Sequence, residues 1–328
     1  MFGQSGDFVT SSEQGSYFAL AFAAHIKALE SQLGEFSIIE VGAGSGQFAI
    51  DLIHALTANK CMPCKYYIIE ASKTLRARQQ ANIESNLLVS DISVEWLDSP
   101  DQPVECAVVI ANEVLDALPV ALISLDHGEI YERGVGIDDQ QEFIFVKQNA
   151  NQAMVKLVRQ RLPNSLLDIK DICYLTEVNR KIDDFIGYIA SFVNKGVFFY
   201  IDYGYPRHEY YHPQRDMGTL ICHFQHTAHD DPFKWPGIQD ITASVDFTAV
   251  AEAAVNNGLS VDCYSTQAHF LMASHVVNDI QLDQKNAQQI KKLLLPGEMG
   301  ERFQVMIMTK NLELEGIELT MRDIRHRL

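Results

Sequence analysis

At 328 residues, 47% of them hydrophobic, the chain is long enough for one large α/β domain with additions, or for a core plus a second lobe. A formal charge of −17 (26 basic against 43 acidic residues) argues against nucleic acid and anionic membrane surfaces as partners. It favours a basic protein segment or a cationic cofactor, although acidity also simply aids solubility.

In chain order, residues 16–33 read as an amphipathic helix, IIEV (38–41) as a buried strand and 47–58 as a helix. YYIIE (66–70) predicts a second strand, a helix follows over 72–84, and AVVIAN (107–112) predicts another buried strand. Apolar runs that alternate with helical periodicity indicate βαβ units and a parallel sheet. Between residues 120 and 147 the stretches ALISL, EIYERGV and EFIFVKQ suggest antiparallel strands. Helices are expected at 151–161 and 178–193, and VFFYID (197–202) returns as a core strand. Residues 203–246 show little periodicity; a helix at 247–257, a strand at 259–266, a helix at 284–295 and the strand FQVMIMTK (303–310) close the chain. The fold class expected is α/β, a Rossmann-like doubly wound sheet. Residues 1–119 and 191–328 supply its halves, 120–190 form an inserted cap, and 203–240 a lid loop. Cap and lid would lie over the carboxyl ends of the strands, where open α/β sheets bind ligands.

YFALAFAAHI is too short to span a bilayer, and VECAVVIANEVLDALPVALI is interrupted by Glu113 and Asp116. No signal peptide is legible, and six scattered cysteines suggest reduced thiols, so a cytoplasmic protein without membrane insertion is expected. Cys61 and Cys64 form a CMPC pair in an expected loop, with no second pair to complete a zinc site.

FSIIEVGAGSGQFA (36–49) carries the chemistry. Gly42, Gly44 and Gly46 allow a tight turn and close approach of a ligand to the backbone, and a helix N-terminus follows. No lysine lies in the turn, which argues against a nucleotide-hydrolase phosphate loop. Gln47 is too bulky for the close packing of a dinucleotide turn, which argues against an NAD(P)-dependent enzyme. Glu40 places a carboxylate at the first strand end, suited to a ligand with an ammonium and a sulfonium. Glu70 ends the second strand, where an acid can take both ribose hydroxyls. Together they read as the S-adenosyl-L-methionine site of a class I methyltransferase; the plainer alternative is that both acids merely favour helix N-termini. Asn112, Glu113 and Asp116 fall just past the third strand, beside the expected position of a transferable methyl, or serve as a helix start with Asn112 as its cap.

Longer motifs extend the reading: GDFVTSSE (6–13), EVGAGSGQFAIDL (40–52), YYIIEASKTLRARQ (66–79), ANEVLDALPV (111–120), YIDYGYP (200–206) and GTLICHFQHTAHDDPFKWPGIQDITASVDF (218–247). In this order they resemble the MidA-like methyltransferases, whose eukaryotic members are mitochondrial arginine methyltransferases that assist assembly of respiratory complex I. The resemblance implies cofactor binding at Glu40, Gly42, Gly44, Gly46, Glu70, Ser72 and Asn112. Spacing alone adds Asp91, for the adenine amino group. The resemblance also implies a protein substrate such as a respiratory-chain subunit and a bacterial cytoplasmic member; a homodimer is one open assembly, since the sequence does not name the oligomeric state. SSEQGSYF departs from the family's proline-containing version after the threonine.

Arginine methylation needs carboxylates that grip the guanidinium and accept its proton. Glu113 and Asp116 are assigned that role, with Glu13 a further candidate. The competing function is a non-catalytic assembly factor that binds the cofactor and a partner. HFQHTAHDD (223–231) has a spacing that would spread ligands around a helix, so no metal is expected there. Asp246 is expected to cap the helix that follows it.

Overall fold

The computed structural model describes residues 16–87, 92–169, 173–225, 227–276, 284–295 and 297–328. Helix α1 (Ser16–Leu33) precedes β1 (Ser37–Val41), α2 (Gln47–Ala58), β2 (Tyr66–Ile69), α3 (Lys73–Asn86), β3 (Val94–Trp96) and β4 (Val104–Asn112). A second group follows: β5 (Val120–Asp126), β6 (Glu129–Ile137), β7 (Phe143–Asn149), α4 (Gln152–Arg161), α5 (Asn164–Leu167) and β8 (Cys173–Asn179). Helix α6 (Ile182–Ser191) leads back into the long strand β9 (Val193–Tyr205), then α7 (Arg207–Tyr210). Short strands β10 (Ile221–Phe224), β11 (Thr227–His229), β12 (Asp240–Thr242) and β13 (Val245–Asp246) precede α8 (Phe247–Asn256) and β14 (Ser260–Thr266). The chain closes with α9 (Gln267–Ala273), α10 (Gln284–Leu294), α11 (Met299–Arg302) and β15 (Phe303–Lys310).

The main sheet runs β14-β15-β9-β4-β1-β2-β3. Strands β1, β2, β3, β4 and β9 are parallel, while β15 is antiparallel to both β9 and β14. The parallel-sheet expectation therefore misses β15: a strand buried on both faces is apolar throughout and carries no mark of its direction. AVVIAN is such a strand. Val108 and Ile110 join a core beneath α1 and α2, and Ala107, Val109 and Ala111 join one beneath α6 and α8. Phe22 anchors the first core, with ring centroids 5.6 Å from Phe48, 5.5 Å from Phe199 and 5.0 Å from Phe270. Such ring pairs add about 0.5–1.5 kcal/mol each beyond the area they bury.

The residues after β4 build a separate antiparallel sheet, β7-β6-β5-β8, with Ile123, Leu125, Tyr174 and Val178 packed on Met154, Val158 and Leu162 from α4 and its end. Here the expected helix at 178–193 needs correction: it spans only 182–191, because CYLTEVN (173–179) is a strand. Its alternation is blurred by Thr176 on the apolar face with Tyr174 and Val178, and by Leu175 on the other, which also carries the buried acid Glu177. The Glu177 carboxylate accepts the Thr219 N–H at 2.9 Å, the Thr219 hydroxyl at 3.0 Å and the Leu220 N–H at 3.2 Å. These bonds tie this sheet to a three-stranded sheet, β11-β10-β12, inside the stretch that lacks periodicity. Strands of three or four residues are too short to display a pattern. Phe233 extends the tie, 4.6 Å from the Phe145 ring. Among the described residues no helix is long and apolar enough to cross a membrane.

Candidate functional site

The site is built where β1, β2 and β4 end. Gly42 (φ +68°), Gly44 (φ +52°) and Gly46 (φ +79°) all adopt left-handed backbone, which costs other residues roughly 1–2 kcal/mol each. Two bonds close the turn: the Gly42 N–H donates to the Ile69 carbonyl at 2.9 Å and the Gly46 N–H to the Ala43 carbonyl at 2.7 Å. A Cβ on Gly42 would stand 3.1 Å from Val114 Cγ2, whereas one on Gly44 would meet nothing within 4 Å. The turn is thus packed against the loop after β4 on one side and open at its crest. Gly42→Ala is expected to destabilise the fold by roughly 1–3 kcal/mol, read as a lower denaturant midpoint, because strained backbone and a crowded Val114 add.

Glu40, in β1, is buried, and its carboxylate accepts the Tyr66 hydroxyl at 2.6 Å. Burial pushes its pKa up to about 7, the nearby Glu70 charge adds to the rise, and the Tyr66 bond opposes it. Glu70 follows β2. Its Oε1 accepts the Ser72 N–H at 2.8 Å and its Oε2 accepts Gln79 Nε2 at 2.9 Å. Ser72 caps α3, its hydroxyl accepting the Leu75 N–H at 3.3 Å. Gln47 bends onto Asp51 of its own helix at 2.8 Å.

After β4 the chain turns sharply at Glu113, whose φ of +54° is a left-handed conformation unusual outside glycine. The turn is held by the Glu113 N–H on the Ile201 carbonyl at 2.9 Å and by Asp202. Asp202 Oδ2 accepts the N–H groups of Leu115 at 2.9 Å and Asp116 at 3.1 Å, while Oδ1 accepts the Tyr203 N–H at 2.9 Å. Burial holds the Asp202 carboxyl well above its ordinary range, and the Asp116 and Glu113 charges reinforce this. Asp116 is raised to about 6 by burial, with the Asp240 charge adding and a Tyr203 hydrogen bond opposing. Asn112 Nδ2 donates to Glu113 Oε1 at 3.2 Å. Asn112 Oδ1 and Asp116 Oδ1 are buried with no hydrogen-bond partner among the described residues. Two unmet acceptors beside further carboxylates form a site that calls for N–H donors.

The structure thus gathers Glu40, the three glycines, Glu70 and Ser72 on one side and Asn112, Glu113 and Asp116 on the other, with Val114 between them in the space that a Cβ on Gly42 would crowd. Glu13 and Asp91 lie outside the described residues. The roles of three contributors escape a reading of the sequence, although Asp240 is expected there to align the lid or cap a helix and Asp202 to end a core strand. Asp202 organises the Glu113 turn, Asp240 brings a charge from the β12 strand, and Gln79 sits behind Glu70. In the sequence Asp202 and Asp240 stand out only as polar residues near a strand end and in a loop; nothing there marks Gln79 as buried.

Two further motifs find structural roles. Asp246 caps α8, its Oδ1 accepting the Ala249 N–H at 3.1 Å. In HFQHTAHDD, His229 lies edge-on to Trp235 at 5.0 Å and Phe224 lies 4.5 Å from the same ring, forming an aromatic packing unit. His226 lies outside the described residues. No grouping of three His, Cys, Asp or Glu able to hold a metal occurs among the described residues. Cys61 is buried, and burial raises its thiol to about 11, far from a reactive thiolate.

Comparison with known proteins adds four findings. The sequence profile of a family described as S-adenosyl-L-methionine-dependent methyltransferase (Methyltransf_28) matches residues 17–265. A Drosophila melanogaster protein named as a homologue of mitochondrial protein arginine methyltransferase NDUFAF7 is 25% identical over 346 residues, covering 94% of this chain and 76% of its own. The human protein arginine methyltransferase NDUFAF7 is 24% identical over 352 residues, covering 96% of this chain and 76% of its own. A Burkholderia thailandensis crystal structure bound to S-adenosyl-homocysteine matches with a TM-score of 0.90 at 35% identity, covering 100% of this chain and 86% of that one.

Proposed function

This chain belongs to the MidA-like family of S-adenosyl-L-methionine-dependent methyltransferases, and from that premise we propose that it methylates an arginine nitrogen of a protein substrate. It is a class I methyltransferase, and its cofactor is S-adenosyl-L-methionine. The arginine rests on relatives that carry the name protein arginine methyltransferase and on the site itself. The observation that carries it is the pair of unmet buried acceptors, Asn112 Oδ1 and Asp116 Oδ1, beside Glu113. A guanidinium brings five N–H donors in one plane and a positive charge, which is what such a group of acceptors lacks.

The residues present fit the cofactor. The open crest at Gly44 leaves room for close approach, and Glu70 has its two oxygens fixed by Ser72 and Gln79 with further lone pairs to offer. We assign Gly42, Gly44 and Gly46 to the backbone cradle, Glu70 to the ribose hydroxyls and Glu40 to the ammonium end; Ser72 acts through its N–H on Glu70. Bound S-adenosyl-L-methionine supplies an electrophilic methyl on a sulfonium sulfur. Glu113 and Asn112 hold two guanidinium nitrogens and draw its charge toward them, which leaves the third with a usable lone pair. Asp116 takes the proton that this nitrogen sheds as its bond to carbon forms. Asp202 does not touch the acceptor; it fixes the turn that presents Glu113 and Asp116.

The test is to incubate the protein with methyl-labelled cofactor and a bacterial lysate, hydrolyse the labelled protein and identify the amino acid. Label in methylarginine is expected. Label in lysine, glutamine or a carboxylate would overturn the arginine assignment while leaving the methyltransferase intact.

A further inference from the structure

Helix α3 is a polar helix: of KTLRARQQANIESN only Gln79 and Ile83 are buried. These stand four residues apart, on one face. Burying a glutamine costs stability unless every polar atom is met, so a fully buried one in an otherwise solvated helix needs its partners explained. Gln79, at 0% exposure, has them. Its Nε2 donates to Glu70 Oε2 at 2.9 Å and to the Gly44 carbonyl at 3.1 Å, and its Oε1 accepts the Trp96 indole N–H at 3.0 Å. The partners fix which way the amide points. Turned over, its oxygen would face a carboxylate and a carbonyl, and its NH₂ would face an N–H. Its Cα also lies 3.4 Å from where a Cβ on Gly46 would stand, so the helix backbone walls the turn as well.

One carboxamide therefore joins the glycine turn, the end of β2 and strand β3. We propose that Gln79 is a positioning residue for the cofactor. It holds Glu70 with one oxygen engaged from behind, leaving the carboxylate set to receive a vicinal diol, and it fixes the Gly44 carbonyl so that the crest of the turn keeps its shape. The assignment rests on Glu70 taking the ribose hydroxyls. An acid left free would sample several rotamers and lose entropy on binding; one already fixed loses little. Asn82 supports the same turn from the next helical position, its Nδ2 donating to the Ser45 carbonyl at 3.0 Å, but it does not touch Glu70.

The experiment is isothermal titration of the full chain with S-adenosylhomocysteine, for wild type, Gln79→Met, Glu70→Ala and the double variant. Gln79→Met keeps length and removes the donors; it is expected to weaken binding by roughly 10- to 100-fold, by analogy with the loss of outer-shell hydrogen bonds behind metal ligands. Because Gln79 acts through Glu70 as well as on Gly44, the double variant should lose clearly less than the sum of the two single losses, any excess over Glu70→Ala alone measuring the Gly44 contact. Fully additive losses, or wild-type affinity in Gln79→Met, would overturn the proposal. Wild-type affinity in Glu70→Ala would instead overturn the ribose assignment beneath it, and no binding by wild type would overturn the cofactor itself. Gln79→Glu guards against a variant that fails to fold. It keeps the acceptor for Trp96 but donates to Glu70 only when protonated, so its affinity relative to wild type should fall as pH rises from about 5.5 to 8. Affinity equal to wild type across that range also overturns the proposal.

Discussion

Asp116→Asn is expected to lower kcat by roughly 10²- to 10⁴-fold, the usual worth of a positioned general base. The affinity for S-adenosylhomocysteine should hold, because Asp116 is assigned to the acceptor and not to the cofactor. The variant should fold. Asp116 is buried beside Asp202, and burial and neighbouring charge raise both carboxyls, so removing one charge relieves the folded state. Loss of activity with an unchanged or higher melting temperature therefore separates chemistry from collapse. Glu113→Gln should act differently. It keeps the shape and one acceptor oxygen but loses the charge that grips a guanidinium, so KM for the acceptor rises more than kcat falls, by roughly 10-fold for one charge-assisted bond. The pH profile carries the same assignment. Asp116 works as a base only when ionised, and with a pKa of about 6 the wild-type rate should climb between pH 5 and 7. That limb should vanish from the residual activity of Asp116→Asn. Wild-type rates in both variants would remove these residues from the mechanism.

Why some of this can be read from the sequence and some cannot follows from how each residue does its work. The glycine turn is legible because left-handed backbone and close packing leave few residue types able to stand there, and Gly42 meets both demands. Glu40, Glu70 and Glu113 are legible because a carboxylate at the end of an apolar strand breaks the pattern. Gln79 breaks none: a glutamine in KTLRARQQ looks like one more solvated side chain, and only the fold reveals that Trp96 and Gly44 close over it. Asp240 likewise reaches Asp116 because the chain just after β12 docks there, the Ala243 N–H donating to the Asp116 carbonyl at 3.2 Å, a contact set by tertiary structure. The end of strand 173–179 reads as the start of a helix because nothing local shows that Glu177, an acid on the face away from the apolar side, is buried by bonds from residues more than forty positions away. Strand directions are beyond reach for a similar reason: β15 and β9 are both largely apolar, and register follows from connections, not from composition.

Glu40 should set the pH dependence of both folding and cofactor binding, with opposite signs. Its folded pKa of about 7 lies above the ordinary 4.5, so the folded chain holds a proton that the unfolded chain releases. Stability from this group is therefore complete at low pH and declines as pH rises from about 4.5 through 7. Above that, the ionised side chain costs up to roughly 3 kcal/mol, an upper bound from about 1.36 kcal/mol for every tenfold difference in acidity between the folded and unfolded chain. Glu40→Gln keeps an acceptor for Tyr66 and cannot ionise. It should melt with wild type at pH 5 and several degrees above it at pH 8. Binding runs the other way. An ammonium near Glu40 stabilises the carboxylate, so wild-type affinity for S-adenosylhomocysteine should strengthen from pH 6 to 8 as the linked proton is lost, by at most about 10-fold per pH unit. In Glu40→Gln that dependence should disappear and the affinity at pH 8 should drop. A chain that becomes more stable and a poorer binder through the same substitution is the expected outcome where a buried charge is kept for its ligand. A Glu40→Gln protein that binds with the wild-type pH dependence would place the ammonium elsewhere and leave Glu40 as the hydrogen-bond partner of Tyr66.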